Sequence, residues 1–274
     1  MKFAALLLAS ASLLPVAALA DPIEPPLAHV VDQRGVTHGL GFVRRMNEGN
    51  IPRKYETISM SAQLPVSFDA RAKGWISPIK DQGACGSCWA HAISENLEDA
   101  NLKAGKPKPA LSPQQMVDCD DMASGCNGGS MYDGAYATSP GLASAKDYPY
   151  TGRTAWSCKK PLPPIQAKAA HWAFVGAQGR APTIYELKTA LLAHGSLFVT
   201  VSAGGMNWQG QPQMTKCGNS EVNHMVEIVG WTVDSKWIMR NSWGTAWGDK
   251  GFGYLPFGCD QIANTPDSAA FVVL

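Results

Sequence analysis

Gln82-Gly83-Ala84-Cys85-Gly86-Ser87-Cys88-Trp89 sets a thiol, Cys88, directly before an apolar run with helical spacing, and an amide side chain six residues upstream of that thiol. Trp89, Ile93, Leu97 and Ala100 recur at three- and four-residue steps until Gly105 and Pro107 break the pattern. That spacing predicts a helix opening at Cys88. A thiol at a helix start feels the positive end of the helix dipole, which favours thiolate. Acyl chemistry at a thiolate also needs a proton partner and an oxyanion donor.

Working outward, Ser112-Pro113-Gln114-Gln115 reads as a capping box opening a short helix. Residues 126–150 are rich in Gly, Ser, Tyr and Pro and read as loop. Short β-branched or aromatic runs follow at 197–202, 225–231, 236–241 and 252–255. One further helix is signalled by Thr183-Ile184-Tyr185-Glu186 at its start and Gly195 after its end. A helical half followed by a strand-rich half predicts an α+β fold of two lobes with a cleft between them.

The chain has 274 residues and a formal net charge of +1, which gives no reason to expect nucleic acid or an anionic membrane as partner. Lys2, the apolar run 3–17 and Ala18-Leu19-Ala20 read as an export signal cut before Asp21. No later run is long and apolar enough to span a bilayer. The expected organisation is a signal peptide at 1–20, a propeptide at 21–63 and a mature domain at 64–274. Export implies an oxidising compartment, and seven cysteines in such a compartment leave at least one thiol unpaired within the chain.

Of six histidines, His29 and His38 fall in the expected propeptide. His91 is one helical turn from Cys88, too local to face it across a cleft, and His171 and His194 read as surface residues. His224 stands at the edge of a strand in Val222-Asn223-His224-Met225-Val226, where its ring can face a cleft. An imidazole so used needs orienting. Asn241, in Arg240-Asn241-Ser242-Trp243-Gly244, offers an uncharged acceptor that Trp243 could shield from water.

These residues together resemble the papain-like cysteine peptidases. The resemblance runs from Leu64 to the C-terminus in three ordered blocks: Lys80-Asp81-Gln82-Gly83-Ala84-Cys85-Gly86-Ser87-Cys88-Trp89-Ala90, Gly125-Cys126-Asn127-Gly128-Gly129, and His224 with Asn241-Ser242-Trp243-Gly244. It implies a papain-like fold with an N-terminal helical lobe, a C-terminal β-barrel-like lobe and the active site in the cleft. It implies Cys88 as nucleophile, His224 as base and then acid, Asn241 as orienter of His224, and Gln82 as oxyanion donor beside the Cys88 N–H. Gly86, Ser87, Gly128 and Gly129 would meet the substrate, and Trp243 would line the leaving-group side. Met131 and Met225 would wall the second subsite above Asn264, five residues past the last cysteine. The implied bridges are Cys85–Cys126, Cys119–Cys158 and Cys217–Cys259, leaving Cys88 free.

The implied activity is endopeptidase cleavage through an acyl-thioester, without cofactor or metal, by a monomer made as a secreted zymogen. Peptides, proteins and protein inhibitors of papain-like peptidases are the implied partners, in the medium, a periplasm or a lysosome-like compartment. The short propeptide resembles that of cathepsin B-like members, yet the cysteine-flanked His-His insertion that would make a dipeptidyl carboxypeptidase is missing between Cys126 and Cys158. His91 stands where the family usually has an aromatic. Two other readings of Cys85-x-x-Cys88, a redox pair and a zinc pair, lack respectively a βαβ context and a second matched pair. An inactive homologue acting as a binding module is the remaining alternative, against which every catalytic position is filled.

Overall fold

The computed structural model describes residues 29–32, 34–44, 53–59, 63–155, 157–203, 217 and 221–274. The expected signal peptide lies outside the described residues, as do parts of the expected propeptide.

The N-terminal segment forms a hairpin, β1 (His29–Val31) and β2 (Thr37–Gly39), and a short strand, β3 (Tyr55–Glu56). β4 (Phe68–Asp69) opens the main body. Helix α1 (Cys88–Lys103) starts where the apolar spacing predicts and ends just before Gly105, and α2 (Pro113–Cys119) follows. The Ser112 side chain accepts from the Gln115 N–H at 3.0 Å. The reciprocal half of the expected capping box is missing, because the Gln115 amide is engaged by Tyr136, Gly141 and Ala143 instead. Within the stretch read as loop, Met131–Ala137 forms 3-10 turns capped by Ser130 and Asp133.

β5 (Leu142–Ala143) and β6 (Ile165–Ala167) make a two-stranded ladder. The strand-rich half holds β7 (His171–Val175), α3 (Ile184–His194), β8 (Leu197–Val201), β9 (His224–Trp231), β10 (Lys236–Arg240), β11 (Phe252–Pro256) and β12 (Ala269–Val273). α3 has both halves of its capping box, Thr183 and Glu186, and Gly195 follows its end. Among the described residues the sheet order is β11-β10-β9-β8-β12-β7-β3, with β4 on β9. All pairs are antiparallel except β3 on β7.

The central strands bury both faces. Leu197, Val199 and Val201 of β8 enter one core with Trp231, Trp237 and Phe271, while Phe198 enters a second with Trp89, Leu97, Met116 and Phe174. β7 and β12 split in the same way. A strand buried on both sides loses the polar alternation that betrays a half-exposed one. That is why β7 and β12 escape a reading by periodicity. The same packing corrects His194: its ring stacks on Phe271 with centroids 3.7 Å apart. His171 pairs with Glu56 of β3 at 3.1 Å.

α1 is buried almost all round and wedges between the cores. Its polar residues are satisfied across the seam: Asn96 donates to Ser196 and accepts from the Val272 N–H, and Asp99 pairs with Arg240 at 2.7 Å. The bridges are Cys85–Cys126, Cys119–Cys158 and Cys217–Cys259, and Cys88 is free.

Candidate active site

Cys88 is the first residue of α1 and its side chain has no exposure to solvent. Burial pushes the thiol up to about 11. Backbone groups of Met225, Gly41, Trp89 and Cys88 itself face the sulfur and oppose that rise. Met225 is the residue after His224, so strand β9 carries the imidazole to the helix start.

His224 opens β9, equally buried. Its Nε2 donates to Asn241 Oδ1 at 2.9 Å, and the same oxygen accepts from the Ser242 N–H at 2.8 Å. An oxygen already taking one N–H fixes the ring as the Nε2–H tautomer, which leaves Nδ1 as a basic lone pair. That Nδ1 is buried with no hydrogen-bond partner. The Trp243 ring lies 5.0 Å from the His224 ring and shields the Asn241 bond. Burial lowers His224 to about 4, with the Asn241 bond acting the other way. In these dry surroundings burial favours the neutral form of both the Cys88 thiol and the His224 imidazole.

Residues 39–43 cause the dryness. The Gly39 carbonyl accepts from Gln82 Nε2 at 2.7 Å, and the Gly41 backbone faces the Cys88 sulfur. Gly129 donates to the Gly41 carbonyl and accepts from the Val43 N–H, a parallel bridge centred on Phe42, while the Phe42 N–H reaches the Asn223 carbonyl. The close approach requires glycine: a Cβ on Gly41 would sit 1.8 Å from the Gly86 carbonyl oxygen, and one on Gly39 2.5 Å from that of Ala84. Ahead of them His38 stacks on Trp243 at 4.6 Å and bonds Asp32 at 3.0 Å.

Gln82 is locked. Its Oε1 accepts from Ser242 Oγ at 2.7 Å, which turns Nε2 toward the carbonyls of Gly39 and Cys85. Ser87 Oγ and the Gln82 carbonyl are joined through the Tyr150 hydroxyl, at 2.7 and 2.8 Å. His91, whose replacement of an aromatic had no account in the sequence, puts Nδ1 2.9 Å from the Ser87 carbonyl and meets Tyr150 edge-on. Burial drops it to about 3, so it is a neutral packing residue. Ser242 and Tyr150 were missed by sequence reasoning. Ser242 had a signal in its place between Asn241 and Trp243; Tyr150 had none.

Gly86, Ser87, Gly129, Met131, Met225 and Trp243 surround the covered thiol or its covering segment, and Gly128 follows with a φ of 121°. Asn264 stands apart. It is exposed, and the cavity of about 160 Å³ beside Phe42 is closed by Thr265, Pro266 and Asp267 rather than by it. Tyr132, Thr200 and Asp267 are lining residues the sequence did not suggest. No cluster of three or more His, Cys, Asp or Glu that could hold a metal occurs among the described residues.

The sequence profile of the papain family cysteine proteases matches residues 64–270. The chain belongs to the papain family. Family relatives include cysteine proteinase 15A of Pisum sativum, 35% identical over 76% of this chain and 64% of that one, and cathepsin K of Mus musculus, 32% identical over 78% and 67%. This papain-family chain spans 57–65% of the length of these plant relatives. Among solved structures, a Carica candamarcensis cysteine protease in complex with E-64 superposes with a TM-score of 0.66 at 27% identity, over 77% of this chain and 99% of that one. The proform of the ragweed pollen allergen Amb a 11, a cysteine protease, gives 0.68 at 30% identity, over 78% and 66%. The two-lobe α+β architecture read from sequence is the fold these papain-family structures share.

Proposed function

We propose that this chain is the precursor of an exported cysteine endopeptidase, and that residues 21–63 are the propeptide that holds it inactive. One observation carries the reading. A peptide carbonyl, that of Gly39, already accepts from the Gln82 amide while the adjoining backbone covers the Cys88 sulfur. The Gly41 backbone faces the sulfur, so the segment occupies the place a substrate would need.

With the segment gone, water and the helix dipole reach the thiol, its proton passes to His224 Nδ1, and Asn241 holds the imidazolium that results. The thiolate attacks the carbonyl carbon of a bound peptide, forming a C–S bond. Gln82 Nε2 and the Cys88 N–H receive the oxyanion. His224 returns its proton to the departing amine as the C–N bond breaks, leaving an acyl-thioester. Water, deprotonated by His224, releases the acid and restores the thiol. A monomer acting on peptides and proteins, and open to protein inhibitors, fits this site. Cleavage within chains follows from the missing insertion between Cys126 and Cys158; preferential removal of C-terminal dipeptides from test peptides would contradict it.

The test is Cys88→Ser in the processed enzyme. Hydrolysis of a blocked peptide should fall by at least about a thousandfold, since an unassisted serine is a far poorer nucleophile than a thiolate. Activity retained near wild type would refute the assignment.

A further inference from the structure

His91 does more than fill space beneath the nucleophile. Its Nδ1 lies 2.9 Å from the Ser87 carbonyl oxygen, which also takes the His91 backbone N–H at 3.1 Å. A carbonyl can only accept, so Nδ1 carries the proton. The Ser87 carbonyl shares its peptide unit with the Cys88 N–H, one of the two donors assigned above to the oxyanion. Two N–H groups on that oxygen draw electron density away from the peptide nitrogen and make the Cys88 N–H a stronger donor. They also hold the plane of the peptide, and with it the direction in which the Cys88 N–H points.

The second oxyanion donor is tied to the same residues. The Tyr150 hydroxyl donates to the Gln82 carbonyl at 2.8 Å and has no second hydrogen, so its 2.7 Å contact with Ser87 is a donation from Ser87 Oγ. His91 meets the Tyr150 ring edge-on, with centroids 4.8 Å apart. Gln82 and Ser87 have no exposure to solvent and His91 has 1%, so water does not compete for these bonds. An aromatic in place of His91 could keep the ring contact, but it would bring no N–H to the Ser87 carbonyl. We propose that His91 is a positioning residue for the oxyanion site, acting through the Ser87–Cys88 peptide. The proposal rests on the peptidase reading above and extends it to a residue outside the Cys-His-Asn site.

Two variants of the processed enzyme separate this role from packing. His91→Phe keeps an aromatic ring and removes the N–H; His91→Asn gives up the ring and offers an amide N–H in the place of Nδ1. Both are assayed on one blocked peptide and by the rate at which iodoacetamide alkylates Cys88, a reaction that develops no oxyanion. His91→Phe should lower kcat by about three- to tenfold with KM little moved, a part of the loss expected for a whole oxyanion donor, and should leave the alkylation rate within about twofold of wild type. His91→Asn should recover most of the lost kcat although it melts at a lower temperature than His91→Phe; a packing role would rank the two the other way. Wild-type kcat in His91→Phe overturns the proposal. So does a folded His91→Asn no faster than His91→Phe, or an alkylation rate that falls along with kcat. Should His91→Phe fail to fold, His91→Leu takes its place with the same expected loss. A wild-type enzyme whose Cys88 is alkylated while no peptide is cut overturns the peptidase reading instead.

Discussion

Ser242 governs what the Gln82 amide can do. An unpinned amide can rotate and present oxygen instead of N–H to a developing oxyanion, which is repulsive. Gln82→Ala should lower kcat by about 10²–10³ as the loss of one oxyanion donor. Ser242→Ala should lower it by about tenfold, with KM little moved, because the donor remains but its orientation is no longer fixed. Steady-state kinetics on one peptide check both; a Ser242→Ala enzyme with wild-type kcat would remove this residue from the account. Gln82, Cys88, His224 and Asn241 could be picked out of the sequence as candidates because their residue types fit roles that acyl chemistry demands. The Ser242–Gln82 bond was not, since it joins residues 160 positions apart, and Tyr55–Asp267 joins residues 212 apart. Contacts of that range exist only once the lobes have packed.

Segment 39–43 works as an element because two glycines let its backbone lie on that of the nucleophile loop. Gly41→Ala would place a methyl 1.8 Å from a backbone oxygen that cannot swing aside. The expected result is a precursor whose segment leaves the cleft, seen as unprovoked conversion to the mature form, with the mature domain's melting temperature unchanged after conversion. A Gly41→Ala precursor that stays as latent as wild type would show that the segment does not inhibit by this contact. Nothing in the sequence announces where residues 40–44 come to rest, and Arg45 and Met46 lie outside the described residues. α1 and α3 were readable from spacing and caps, whereas β7 and β12 were not, because strands clothed on both faces carry no alternation to read.

At the scale of the molecule, the lobes meet over one buried cation and several acids. Arg240 bonds Glu227 and Asp99, with Glu95 3.7 Å away, and all four side chains are essentially without exposure. Burial pushes Glu95 up to about 7, with Arg240 pulling the other way, and it raises Asp99 and Glu227 in the same direction. A carboxyl raised in the folded state keeps a proton that the unfolded chain gives up near pH 4.5. Its contribution is whole below that pH and lost as pH climbs toward 7. His91, lowered by burial to about 3, works oppositely and loses stability as pH falls below 6.5. Wild-type curves mix the two, so the prediction is a difference: Glu95→Gln should flatten the fall in denaturation free energy between pH 4.5 and 7, and His91→Phe should steepen it. A Glu95→Gln curve parallel to wild type would contradict the assignment. The most direct measurement on the whole account is mass-resolved labelling by the epoxide E-64, before and after removal of residues 21–63. The account predicts no label on the intact precursor and one equivalent, on Cys88, once the segment is gone. Equal labelling of both forms, or a label on any other residue, would contradict it.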